Sequence, residues 1–421
     1  MSFNRRNFIK GLSAGTLLAG TASSLNAMDD FLPSSEMIQR MNPTDKSIIG
    51  PYGPWAVSHM KDTPPRSFRS NAYRQVEEWT KETRKFVLEK MAVPPVGPLP
   101  TVRVAGQWTF EDLHVEELTW SLPYGRPTQA LLLKPANAVG KLPGILAFHD
   151  HGGNKFFGIE KITRTRADQH PLMKDHQEWY YEGTAWANEV ARRGYAVLIS
   201  DAFTFASRRV HLSDVPDEIR RGVPDENREE PETIEAYNAW ASNHEHIMAK
   251  SLLSAGMTWP GVFFAEDRVA LDILCNRPDV DNTRIGCGGL SGGGLRTVMM
   301  GGLDPRIKCA VCVGFMSTWK DFALNKSWTH TWMTYIPGVP PALDFPEILG
   351  LRAPLPTLVQ NDEHDALYTL PEMKRADDIL RETFNKANAL DRYRGSFYPG
   401  RHKFDRAMQK EAFEWFDQWL R

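Results

Sequence analysis

From about residue 113 to the C-terminus, short apolar blocks of strand character alternate with longer blocks whose apolar positions recur at helical spacing. Residues 114–122 and 128–134 read as a hairpin around Pro123-Tyr124-Gly125, and 143–149 as a buried strand. A helix over 179–193, stopped by Gly194, leads into a strand over 195–201. Further on, 267–274 reads as a helix, 307–314 and 356–360 as strands, 370–389 as a helix and 392–398 as the last strand. A closing amphipathic helix over 407–420 carries Ala412, Phe413, Phe416 and Trp419 on one side. This alternation predicts an α/β fold with a mostly parallel central sheet flanked by helices on both faces.

Two stretches break the alternation. Between 203 and 261 a charged run at 214–232 leads into a helical segment at 234–254, and 317–351 is irregular; both read as insertions in a main domain over 111–421. Residues 28–110 read as an N-terminal extension with a helix over 67–91 and the proline-rich linker Pro94-Pro95-Val96-Gly97-Pro98-Leu99-Pro100. Residues 1–27 are set aside from the fold. Asn4-Arg5-Arg6-Asn7-Phe8-Ile9-Lys10, followed by an uncharged stretch broken by Gly11, Gly15 and Gly20, looks like a twin-arginine export signal, with a destination in the periplasm or outside the cell.

Removing that segment takes away three cations and no acid, shifting the formal charge from −2 to −5, which does not fit a nucleic-acid partner. The 42% of hydrophobic residues suffices for one large core, and no later segment holds the ~18 uninterrupted apolar residues of a membrane span. Cys309-Ala310-Val311-Cys312 has C-x-x-C spacing, but it lies in an apolar strand-like run without a second pair, so core packing is expected of it.

The chemistry centres on Gly289-Leu290-Ser291-Gly292-Gly293, which reads G-x-S-x-G between a strand-like run at 284–288 and a helix-like run at 295–300. A sharp turn from strand to helix holds a serine oxygen clear of its backbone, and glycines on either side give the turn room. A serine hydroxyl is a weak nucleophile at neutral pH and needs a base, itself oriented by an acid. Polar loops after two later strands offer them: Asn361-Asp362-Glu363-His364-Asp365-Ala366-Leu367, and Arg401-His402-Lys403-Phe404 behind Pro399-Gly400.

With these segments in this order, the chain resembles the α/β-hydrolase superfamily, nearest to its dienelactone-hydrolase-like and acetyl xylan esterase-like branches of secreted bacterial esterases, from about residue 113 to the end. The resemblance implies Ser291 as nucleophile, His402 as base and Asp365 as acid, with Asp362 and Glu363 as fallback acids because Asp362 stands where the family has glycine. It also implies an oxyanion hole from the Gly292 N–H and a donor in His149-Asp150-His151-Gly152-Gly153, with His151 the choice; Asp150 stands where glycine is common, so a neighbour is the alternative. No metal or organic cofactor is implied. The implied substrate is a small-molecule or oligosaccharide ester, with a peptidase, a lactone or dienelactone hydrolase, or a non-catalytic carbohydrate-binding relative as alternatives on the same fold.

Other residues invite function with less support. His149 and His151 could pair on a metal, but no carboxylate-rich segment accompanies them, and His244-Glu245-His246 reads as a solvated helix face. Trp259, Trp319, Trp328 and Trp332 lie in or beside the insertions, where they could stack on a substrate or simply anchor the insertions to the body.

Overall fold

The computed structural model describes residues 46–421; the export signal expected over 1–27 lies outside the described residues. Nine strands form one sheet: β1 Arg103–Phe110, β2 Leu113–Trp120, β3 Thr128–Pro135, β4 Leu142–Phe148, β5 Ala196–Ser200, β6 Val280–Leu290, β7 Ile307–Val313, β8 Thr357–Asp362 and β9 Tyr393–Tyr398. Their spatial order is β1-β2-β3-β5-β4-β6-β7-β8-β9. The pairs from β1 to β5 are antiparallel and those from β5 through β9 are parallel. This is the α/β-hydrolase fold expected from the sequence.

The longer helices number eight among the described residues: α1 Val76–Met91, α2 Pro171–Tyr181, α3 Trp186–Arg192, α4 Pro231–Ser254, α5 Trp259–Cys275, α6 Gly292–Leu303, α7 Leu370–Lys386 and α8 Arg406–Leu420. Successive side chains of a strand point to opposite faces, and here both faces are buried. Leu146, Phe148, Leu198 and Val359 pack with Val87 of α1, Leu271 of α5, Val298 of α6 and Leu380 of α7. Ile145, Ala147, Val197 and Leu358 pack on the other side with Val190 of α3 and with Phe413 and Phe416 of α8. Cys287, Cys309 and Cys312 are free, buried core residues, and burial pushes the Cys287 thiol up to about 12.

Three elements differ from the sequence expectation. The helix expected over 67–91 begins only at Val76, because the carbonyls of Phe68, Ser70 and Tyr73 accept from the Lys386 ammonium at 2.6, 2.7 and 2.9 Å instead of continuing a helix. The single helix expected over 179–193 is two: Glu182 and Gly183 take φ of 54° and 70°, and the Gly183 N–H closes on the Gln177 carbonyl at 3.0 Å, ending α2. The edge strand β1 went unread because most of its side chains are exposed, which hides the alternation. The boundary expected near residue 110 falls between β1 and β2, which pair in register from Phe110↔Leu113.

The helix behind the serine is fastened by charge. Arg296 of α6 makes a bidentate pair with Asp267 of α5 at 2.9 and 2.6 Å, both side chains buried, and its guanidinium lies 4.4 Å above the Phe148 ring. Removing one partner strands the other charge in the core, so Arg296→Ala is expected to lose about 3–5 kcal/mol of unfolding free energy. Denaturant titration checks this, with the apolar double variant at 267 and 296 expected to lose less.

Candidate active site

The parallel strands β4, β6, β7, β8 and β9 end at one edge of the sheet, where α/β folds bind their ligands. The segments that follow them are His149–Gly153, Ser291, Gly314, the loop holding Asp365 and the loop holding His402. The sheet thus gathers Ser291, Asp365, His402 and the His149–Gly153 loop on one rim.

Ser291 sits between β6 and α6 with φ 58° and ψ −118°, a conformation a non-glycine residue holds only under tight packing. Its N–H donates to the Val313 carbonyl at 2.9 Å, and Leu295 N–H closes the first helical turn on the Ser291 carbonyl at 2.9 Å. A β-carbon on Gly289 or on Gly293 would meet the Phe148 carbonyl oxygen well inside van der Waals contact, so strand and helix leave the turn at the closest approach the backbone permits.

His402 lies beside the same turn: Gly314, next to Val313, is so near the imidazole that a β-carbon there would come within 2.9 Å of Cε1. Its Nδ1 and Asp365 Oδ2 are 2.6 Å apart, while Asp365 Oδ1 accepts the Leu367 N–H at 2.9 Å. A carboxylate can only accept, so Nδ1 carries the proton and Nε2 presents a lone pair; Nε2 is buried and makes no hydrogen bond. Burial opposes charging the ring, but the Asp365 charge and its hydrogen bond outweigh it and raise the His402 pKa.

Of the two fallback acids, neither is placed like Asp365. Asp362 ends β8, accepts the Lys403 N–H at 3.0 Å and is pushed by burial up to about 8, so it is protonated near neutrality. Glu363 pairs its N–H with the Tyr398 carbonyl at 2.8 Å, and its side chain makes no hydrogen bond to His402. Ligand atoms of Asp362, Asp365 and His402 fall within 4.8 Å of one another, the one grouping among the described residues close enough to share a cation. The Asp365–His402 hydrogen bond accounts for the closeness of those two.

The loop after β4 lies against Gly292. A β-carbon there would meet His151 N at 2.9 Å, which places the His151 amide beside the Gly292 N–H, itself in the first helical turn and without an intrahelical acceptor. The imidazole of His151 has no spare donor: Nδ1 accepts the Gly153 N–H at 3.1 Å, so Nε2 carries the proton and donates to Glu245 Oε1 at 2.8 Å. Any donor His151 offers a substrate oxygen is therefore its backbone amide. His149 is spent in the same way, its Nε2 accepting the Ala202 N–H at 3.1 Å and its Nδ1 donating to the Asp150 carbonyl at 2.9 Å.

Several supporting residues escaped the sequence reading. Glu245 is not on a solvated face as expected but buried: beyond His151 it holds Lys155 at 2.8 Å and Thr331 Oγ1 at 2.7 Å. Burial would raise its pKa, but the Lys155 ammonium and the His151 bond hold it well below the usual carboxylate range. Asp150 is a buried carboxylate bound by Tyr181 and His176, and Lys161 reaches the loop from below. On the acid loop, Lys326 Nζ donates to the Ala366 carbonyl at 2.7 Å and His330 Nε2 to that of Leu367 at 2.9 Å. Each insertion thus grips one loop of the site, and Glu245–Thr331 ties the insertions together.

The four tryptophans divide by burial. Trp259 and Trp319 are 3% and 4% exposed and pack on Phe203, Phe322 and Phe345, as anchors do. Trp328 and Trp332, at 53% and 40%, present their rings to solvent on the second insertion.

No family model matches the chain. Over 333 residues, 77% of this chain and 96% of the relative, it is 26% identical to the "Putative hydrolase YtaP" of Bacillus subtilis (strain 168). Solved structures with a similar fold include a "putative acetyl xylan esterase" from Bacteroides fragilis NCTC 9343, with a TM-score of 0.63 and 17% identity, covering 85% of this chain and 84% of that one. They also include the glucuronoyl esterase from Solibacter usitatus, with a TM-score of 0.57 and 15% identity, covering 84% of this chain and 97% of that one. Among the described residues, no helix is long and apolar enough to cross a membrane.

The His402–Asp365 geometry makes a measurable claim independent of any reaction. By NMR, the His402 ring is expected to titrate above the ordinary histidine value of about 6.5. Asp365→Asn should lower that pKa by removing the charge that favours the imidazolium, and Asp362→Asn, at a carboxyl that burial keeps uncharged, should shift it little.

Proposed function

We propose that the protein is an exported serine hydrolase that cleaves carboxylic esters, with acylated or esterified carbohydrates as its substrate class. The observation that carries the reading is the His402–Asp365 pair, whose Nε2 is left without a hydrogen-bond partner, with Ser291 on a strained turn after a neighbouring strand. Export rests on the paired arginines and uncharged stretch at the N-terminus. The carbohydrate class rests on the names of the similar esterases and on the exposed Trp328 and Trp332, whose flat rings suit the apolar faces of sugars.

In the first half-reaction, Ser291 Oγ attacks the ester carbonyl carbon while His402 Nε2 takes the hydroxyl proton. The carbonyl oxygen becomes an oxyanion, held by the Gly292 and His151 amides, and Asp365 stabilises the imidazolium. The tetrahedral intermediate collapses, the C–O bond to the alcohol breaks, and His402 returns the proton to the leaving oxygen. In the second half, His402 takes a proton from water, the resulting hydroxide attacks the acyl carbon, and the carboxylic acid leaves as Ser291 regains its proton. The chemistry needs a neutral His402, so its raised pKa places the acid limb of activity above the usual histidine range: rate is lost as pH falls through that value.

The test sets aryl acetates, acetylated xylan oligosaccharides, methyl glucuronate esters, lactones and peptide amides side by side. Ester cleavage is expected to dominate; amide cleavage without ester cleavage overturns the esterase reading in favour of a peptidase. Ser291→Ala should keep the fold and lower kcat by about 10⁶-fold. Asp365→Asn should lower it by about 10⁴-fold, whereas Asp362→Asn, which copies a neutral carboxyl, should keep most of the activity.

A further inference from the structure

Beneath the loop after β4 lies a lysine that the reaction above does not use. Lys161 is fully buried, and its ammonium donates to two successive backbone carbonyls, Asp150 at 2.9 Å and His151 at 2.8 Å. The His151 carbonyl is filled on its other side by the Asn154 N–H at 3.1 Å. The Asp150 carboxylate is farther from the ammonium, at 3.8 Å, and has partners of its own in Tyr181 and His176. Lys161 therefore grips the peptide backbone first and serves as a counter-ion second.

A trans peptide is planar, with its C=O and N–H pointing in opposite directions. Fixing the Asp150 carbonyl downward onto Lys161 turns the His151 N–H the other way, toward Gly292, where a β-carbon would lie 2.9 Å from that nitrogen. The Gly152 N–H is set by the His151 carbonyl in the same manner, and Gly152 takes the positive φ of 52° that this bend requires. From above, Glu245 fixes the His151 ring, so the loop is held on both sides.

We propose that Lys161 is a positioning residue of the oxyanion site, aiming the His151 amide at the oxygen of the tetrahedral intermediate by holding the carbonyls of Asp150 and His151; this rests on the serine-hydrolase reading. Burial draws the ammonium down to about 8 against the pull of Asp150 and Asp201, with Lys155 opposing, so it stays largely protonated near neutrality. The ammonium also lies 4.7 Å from the centroid of the Phe205 ring. A charge placed there and aimed at two carbonyls prepares the donor before substrate arrives, which is where oxyanion stabilisation gains its strength.

The experiment compares wild type with Lys161→Met, of similar length, and Lys161→Ala, which opens space for an added amine. Rates are taken per active site, counted with a fluorophosphonate. In Lys161→Met, kcat for an aryl acetate is expected to fall by about 100-fold or more, the scale of losing one oxyanion donor, with KM little changed. Affinity for a boronic acid that forms a tetrahedral adduct should fall in parallel, and the His402 limb of the pH profile should stay in place. Ethylammonium should restore rate to Lys161→Ala, and ethanol should not. Unchanged kcat per titrated site, a loss confined to KM, or failure of both variants to fold overturns the positioning role, the last by making the lysine a requirement of the fold. Failure of the underlying reading looks different: wild type itself would then not be labelled at Ser291.

Discussion

Gly289 and Gly293 both press against the carbonyl oxygen of Phe148, and no β-carbon fits at either place. That close approach lets β6 turn into α6 within one residue, and the residue at the turn is Ser291, held at a φ of 58°. Strain of this kind persists only where the surroundings over-determine it. Here they do so through the Val313 carbonyl on the Ser291 N–H, the Arg296–Asp267 pair behind α6, and the parallel register that sets Phe148 opposite Gly289. The same register brings the ends of β4, β7, β8 and β9 to the rim, so the loops that could complete a reaction arrive together.

Around that turn, charges are used to hold backbone more than to face solvent. Lys161 grips the loop after β4, Lys326 grips the loop that bears Asp365, and Lys386 holds three carbonyls of the N-terminal extension. In each case the ammonium gives up contact with water for hydrogen bonds to backbone carbonyls. The insertions take part: Glu245 on α4 fixes His151, and the stretch from Lys326 to Thr331 fixes the Asp365 loop while meeting Glu245 at Thr331. An insertion that shapes a binding cleft can therefore also set the geometry beneath it, and substitutions there are expected to reach the rate as well as the affinity.

The sheet and the positions of Ser291, Asp365 and His402 were legible because each depends on local pattern: period-two apolar runs, a G-x-S-x-G turn, and polar loops directly after strands. His151 was legible only as a position, since its imidazole is consumed by Glu245 and what it can offer is an amide that every residue possesses. Glu245 itself was misread as solvated because its partners stand 94 and 86 residues away in sequence, and a single carboxylate on a helix carries no sign of them. Lys161 was missed although the carbonyls it binds are only 11 and 10 residues away, because no local pattern shows that the loop folds back onto it, and the split between α2 and α3 was missed although Glu182-Gly183 held a readable helix stop. Trp259 and Trp319 show the reverse: suggestive in sequence, they are anchors by burial.

The proposed activity requires Ser291 and the two amides beside it to form one working unit. The most direct measurement is a crystal structure of the protein after reaction with a fluorophosphonate. It should show phosphorus bonded to Ser291 Oγ and the phosphoryl oxygen about 3 Å from both the Gly292 and His151 amide nitrogens. An adduct on any other residue, or a phosphoryl oxygen turned away from those amides, would contradict it.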